Sequence, residues 1–108
     1  MEVKSFDRDG VKVFQVSGEI NISTSPDLRK EFEKHALKKV VVDLKEVGYI
    51  DSSGLATLVE ILKKTKQTGG SLGLSGLSDK VKSLFEITKL DKLFLVAPTQ
   101  DEAVGKVK

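Results

Sequence analysis

The run Val40-Val41-Val42-Asp43-Leu44 constrains this chain more than any other. β-Branched residues that follow one another without polar alternation describe a strand covered on both faces. Covering both faces requires layers of other elements above and below it. A mostly parallel sheet with helices packed against it meets that demand. At 108 residues the chain suffices for one such domain, spanning residues 1–108, with a core of useful size.

The rest of the sequence supplies the layers. Val3 to Phe6 and Val11 to Val16 read as two strands separated by Asp7-Arg8-Asp9-Gly10. An acidic residue followed by Gly provides the positive φ of a tight hairpin, so these two strands are expected to be antiparallel. A polar loop from Glu19 to Ser25 precedes Pro26. Ser25 as cap with Pro26 at the first helical position predicts a helix that turns Leu28, Phe32 and Ala36 inward. Leu55, Leu58, Val59 and Leu62 form one apolar stripe, opposite Glu60, Lys63, Lys64 and Lys66. Gly69-Gly70 stops that second helix. Ser71 to Ser75 follows as a short strand, and Ser78 caps a helix bearing Val81, Leu84 and Phe85. Leu93 to Val96 reads as the last strand, and Thr99-Gln100-Asp101-Glu102 as a capping box opening a fourth helix. Strands alternating with helices predict an α/β domain, its sheet mostly parallel apart from the N-terminal strand.

Composition removes several functions. Only Arg8 and Arg29 among the 18 basic residues are arginine, and the net charge is +2, so base-reading and multi-arginine phosphate clamps are not expected. No nucleic-acid or membrane partner is expected either. The chain has no cysteine and one histidine, His35, which excludes thiol chemistry and leaves no metal-binding spacing. The stretch from Gly69 to Gly76 lacks a P-loop lysine and runs into a strand, so it reads as a helix stop. No cofactor is expected. The first residues lack the layout of a signal peptide, and the expectation is a cytoplasmic protein.

In parallel α/β sheets, chemistry gathers where strands end. Tyr49-Ile50-Asp51-Ser52-Ser53-Gly54-Leu55 is such a place. Asp51 or Ser52 suffices as the cap of the following helix. Two or three good caps in succession exceed what one helix end can use, and Gly54 in the first turn costs about 0.5–1 kcal/mol relative to Ala. A glycine there would leave the serine hydroxyls open to an arriving molecule. With no general base beside it, such a serine suits being modified better than catalysing.

These residues resemble the phosphorylation loop of STAS domains, specifically the bacterial anti-sigma factor antagonists. The resemblance extends to Gly18-Glu19-Ile20, to Gly69-Gly70, to Val81-Lys82-Ser83-Leu84-Phe85 and to Thr88-Lys89-Leu90. It implies a protein that binds an anti-sigma factor with serine kinase activity and so frees a sigma factor. It further implies phosphorylation at Ser52, release of the partner, and resetting by a serine phosphatase. A monomer is expected for want of an oligomerisation stripe, and a non-enzyme for want of a base, metal or cofactor motif. Glu19, Asn21, Asp51, Ser53, Gly54 and Thr57 are the implied partner-binding residues. Asn21 stands where the family commonly has an aspartate. The same motif would also serve a STAS module of another signalling scaffold or of a lipid-transport complex. A receiver domain phosphorylated on Asp51 would need an acidic pair after the first strand and a lysine ending a late strand, where this chain has Val96-Ala97-Pro98.

Overall fold

A computed structural model describes residues 1–35 and 38–108. Strands β1 (Glu2–Arg8) and β2 (Val11–Ile20) form the expected antiparallel hairpin. Its turn places Asp9 at φ 52° and Gly10 at φ 80°. Two successive positive φ angles match the right-handed twist of the strands they join. β3 (Lys39–Ile50), β4 (Ser71–Ser75) and β5 (Leu95–Ala97) add in parallel, giving the order β1-β2-β3-β4-β5. Helices α1 (Ser25–Glu33), α2 (Ser52–Gln67) and α3 (Asp79–Ile87) connect the parallel strands, and α4 (Gln100–Val107) follows β5.

Strand alternation explains the layering. Val40, Val42 and Leu44 face one side, packed with Leu28 and Phe32 of α1, Leu58 and Ile61 of α2, and Val81 and Phe85 of α3. Val41 faces the other side, where it joins Val11, Val13, Ala97 and the α4 residues Ala103, Val104 and Val107. β3 is therefore buried on both faces, as its composition demands. Phe14 sits against Phe32, with ring centroids 4.3 Å apart. Each such buried side chain contributes about 1.5–3 kcal/mol.

Several boundaries differ from expectation. β2 continues to Ile20, so no polar loop begins at Glu19, and β3 runs on from the valine run to Ile50, directly before Asp51. The β2–β3 register slips between Gln15 and Ser17 and again between Gly18 and Glu19. Each slip gives β3 one extra residue, which breaks the alternation that marks a strand while pairing continues. Thr24, rather than Ser25, precedes α1, and it makes no side-chain cap. The Asn21 carbonyl instead accepts from the N–H groups of both Thr24 and Ser25, at 3.1 and 2.8 Å. Leu93 belongs to no strand. A single 3-10 turn (Leu90–Lys92) follows Lys89 at φ 62°, buries Phe94 against Phe85, and delays β5 to Leu95. Ala36 lies outside the described residues.

Asp43, the polar exception in the valine run, is 9% exposed and ties three elements together. One oxygen accepts from the Lys45 N–H at 2.9 Å, and the other from the Gln100 amide at 2.9 Å. Gln100 in turn accepts from Arg8 of β1 at 2.8 Å, and Arg8 pairs with Asp101. Asp43→Ala should cost about 0.5–1.5 kcal/mol, because two part-buried donors, the Lys45 N–H and the Gln100 amide, lose their acceptor. A urea titration checks this through a lower midpoint at unchanged slope.

Arg29 of α1 donates to Glu60 of α2 at 2.7 Å, and this hydrogen bond holds the Glu60 carboxyl below its usual range. Both side chains are about two-fifths exposed, at 39% and 42%, so solvent screens the pair and its contribution is small. A carboxyl whose pKa is lowered on folding stabilises above its unfolded pKa and ceases to do so as pH falls through the folded value. Glu60→Gln should therefore lower the melting temperature slightly at neutral pH and leave it unchanged in strong acid.

Candidate functional site

β2 and β3 end together. Ile20 pairs with Ile50 in register, both side chains are buried, and the Asp51 N–H donates to the Ile20 carbonyl at 3.1 Å. Asn21 and Asp51 therefore leave the sheet side by side. Asp51 is extended, at φ −94° and ψ −176°, as suits a helix cap. Its Oδ1 accepts from the Gly54 N–H at 2.9 Å, and its Oδ2 accepts from the Ile22 N–H at 3.1 Å. One carboxylate thus caps α2 and fastens the β2–α1 loop to it.

The cap is Asp51, which leaves the serines free of that task. Ser52 is the first residue of α2 and is exposed; Ser53 is the second and half-buried. Gly54 does not open the turn to solvent as expected, because it is buried. A Cβ there would lie 2.6 Å from the Ile20 carbonyl oxygen and 2.8 Å from the Cγ2 atoms of Ile20 and Ile50. The glycine lets the helix start close onto the two strand ends. Thr57 is only 1% exposed and donates to the Ser53 carbonyl at 3.0 Å. Gly54 and Thr57 consequently shape the site from beneath, where they were expected at its surface.

Asn21 turns back into its own loop. Its Oδ1 accepts from Ser23 and Thr24 N–H groups at 2.9 and 3.1 Å, and its Nδ2 donates to exposed Glu19 at 3.3 Å. This is the local backbone satisfaction that asparagine offers in turns. Thr24 Oγ1 adds a bond to the Glu19 carbonyl at 2.8 Å. His35 packs edge-on to Phe14 at 5.3 Å, away from these loops at the end of α1. Among the described residues, no group of three or more His, Cys, Asp or Glu side chains could hold a metal. No helix among them is long and apolar enough to cross a membrane.

A groove of about 540 Å³ runs between the start of α2 and α3, lined by Tyr49, Ser52, Leu55, Lys80, Leu84 and Ile87 among others. Ile22 on the adjoining loop is 72% exposed and Ile87 78%, with Tyr49 at 43%. Large apolar side chains this exposed around one polar turn make a surface of the kind that suits contact with another protein. Sequence reasoning assigned Ile22, Lys80 and Ile87 no role, and Tyr49 entered only as the residue leading into the turn. The available signal was Ile22, an isoleucine in a loop with no strand or helix stripe to join.

The STAS domain family model matches residues 4–103, and the chain belongs to that family. The resemblance carried by the Asp51 turn is thereby borne out. The chain is 37% identical over 108 residues to the anti-sigma-B factor antagonist of Listeria monocytogenes, covering 97% of this chain and 94% of that protein. It is 34% identical over 91 residues to the Bacillus subtilis anti-sigma-B factor antagonist, covering 82% and 84%. The crystal structure of an anti-sigma factor antagonist from Mycobacterium paratuberculosis superposes with a TM-score of 0.86 at 31% identity, covering 98% and 92%.

Two substitutions separate frame from surface. Gly54→Ala should lose about 1–3 kcal/mol through overpacking against Ile20 and Ile50. Asp51→Ala should lose about 0.5–2 kcal/mol with the cap. It should also speed amide exchange at both Ile22 and Gly54, which NMR would resolve.

Proposed function

We propose that this chain is an anti-sigma factor antagonist whose Ser52 is the phosphoacceptor. In this reading it works in the cytoplasm as a monomer and performs no catalysis. Its partner is an anti-sigma factor that is also a serine kinase, and binding it frees a sigma factor. The observation that carries the reading is the exposed Ser52 hydroxyl on the first turn of α2, in a frame held by Asp51 and Gly54 rather than by the serine itself. Membership of the STAS family and the Listeria antagonist's near full-length similarity support it.

The physics of the switch follows. The kinase transfers the γ-phosphoryl group of ATP to Ser52 Oγ; an O–P bond forms, ADP leaves, and the hydroxyl proton passes to a base on the kinase. Phosphate adds about −1.5 to −2 charges beside Asp51. The helix N-terminus accommodates that charge, so the fold survives. The surrounding surface of Ile22, Tyr49 and Ile87, which matches an apolar partner face, no longer does so. A serine phosphatase resets the site. Glu19, Asn21 and Ser53 border the contact, while Gly54 and Thr57 set its shape.

Three variants test this against the anti-sigma factor recovered with the protein from its native cells. Ser52→Ala should bind in ADP and take up no phosphate in ATP. Ser53→Ala should still be phosphorylated. Ser52→Asp should melt as the native protein does, or slightly higher given about 0.3–1 kcal/mol from an acidic first turn, yet bind at least about tenfold more weakly. Phosphate entering Ser52→Ala, read by intact mass, would reduce the turn to a helix cap.

A further inference from the structure

We propose that Lys80 of α3 reads the phosphorylation state of Ser52: the phosphate draws the Lys80 ammonium off the Tyr49 ring, and the resulting ion pair closes the groove between α2 and α3. The inference rests on Ser52 as phosphoacceptor and adds the residue that responds.

Three observations carry it. Ser52, Tyr49 and Lys80 line the same groove, although they come from α2, β3 and α3. The Lys80 ammonium stands 5.8 Å from the Tyr49 ring centroid. At that distance and exposure a cation–π contact is weak, and a dianionic phosphate with three acceptor oxygens outcompetes it. Lys80 is also the sole cation among the groove's lining residues, and no carboxylate pairs with it among the described residues. Arg29, the other candidate in the neighbourhood of α2, is engaged by Glu60.

The competing charges in the groove also favour transfer. Asp51 is its one acidic lining residue, and both Asp51 oxygens already accept backbone N–H groups. Lys80 therefore has no comparable partner until phosphate arrives. Once paired, its four-carbon stem lies across the groove mouth and Tyr49 loses its covering cation. An apolar partner side chain that fits the open groove finds it bridged.

The chain has one tyrosine, Tyr49, and no tryptophan, so emission excited beyond the phenylalanine band comes from Tyr49 and responds to its surroundings. Phosphoserine installed at position 52 during translation removes any need for the kinase. Phosphorus NMR should give a second phosphate ionisation about half a pH unit lower in the native background than in Lys80→Met, with Lys80→Arg retaining the lower value. Installing phosphoserine should change Tyr49 emission, and Lys80→Met should abolish that change. Lys80→Met keeps a long apolar stem on the tyrosine, and an unaltered melting temperature would show it folded. Equal phosphate ionisation in the native and Lys80→Met backgrounds, or unchanged emission on phosphorylation, would overturn the proposal. Because no partner protein enters these measurements, that result leaves the role of Ser52 intact. The role of Ser52 falls separately, through phosphorylation of Ser52→Ala.

Discussion

The Asp51 carboxylate is the interaction on which the site depends. Two oxygens serve two chain segments: one holds the third amide of α2, the other holds Ile22 in the loop before α1. These segments are distant in sequence and come together because Ile20 and Ile50 end their strands in register. A side chain that only capped α2 would leave the neighbouring loop free to drift. A side chain that only tethered the loop would leave a helix amide unpaired. With both tasks taken by Asp51, the serine beside it is relieved of structural duty and stays available for chemistry.

The two-faced burial of β3 gives that arrangement its rigidity. Val40, Val42 and Leu44 anchor one face and Val41 the other, while Asp43 joins α4 through Gln100. The strand then runs without a break to Ile50, directly beneath the site. Helices α1, α2 and α3 share one face of the sheet, which is why a groove between α2 and α3 opens beside Ser52. The position of the groove is a consequence of the layer order.

Much of this was legible in the residues. The valine run, the Asp9-Gly10 turn, the apolar stripe of α2 and the Ser78 and Thr99 caps all appear where local chemistry puts them. What escaped reading was non-local. Glu19 and Ile20 look like the start of a loop because Gly18 and Glu19 interrupt the apolar pattern; pairing across a slipped register with Tyr49 and Ile50 makes them strand. Gly54 looked like an opening to solvent because its neighbours are polar. The reason for it lies on two other strands, in the Ile20 carbonyl and the Ile50 methyl group. Thr57 seemed a surface residue of a polar turn, yet its hydroxyl closes back on Ser53. Register and close approach are not written in any single segment.

The close contact at Gly54 has a bearing on timing. With the helix start seated on two strand ends and no room for even a methyl group, the turn has little slack to reorganise when Ser52 changes charge. Under the proposed function, no slow refolding step stands between the arrival of phosphate and loss of the partner. The delay in the signal then belongs to the enzymes that write and erase the mark, and the protein itself acts as a memory element with no lag of its own.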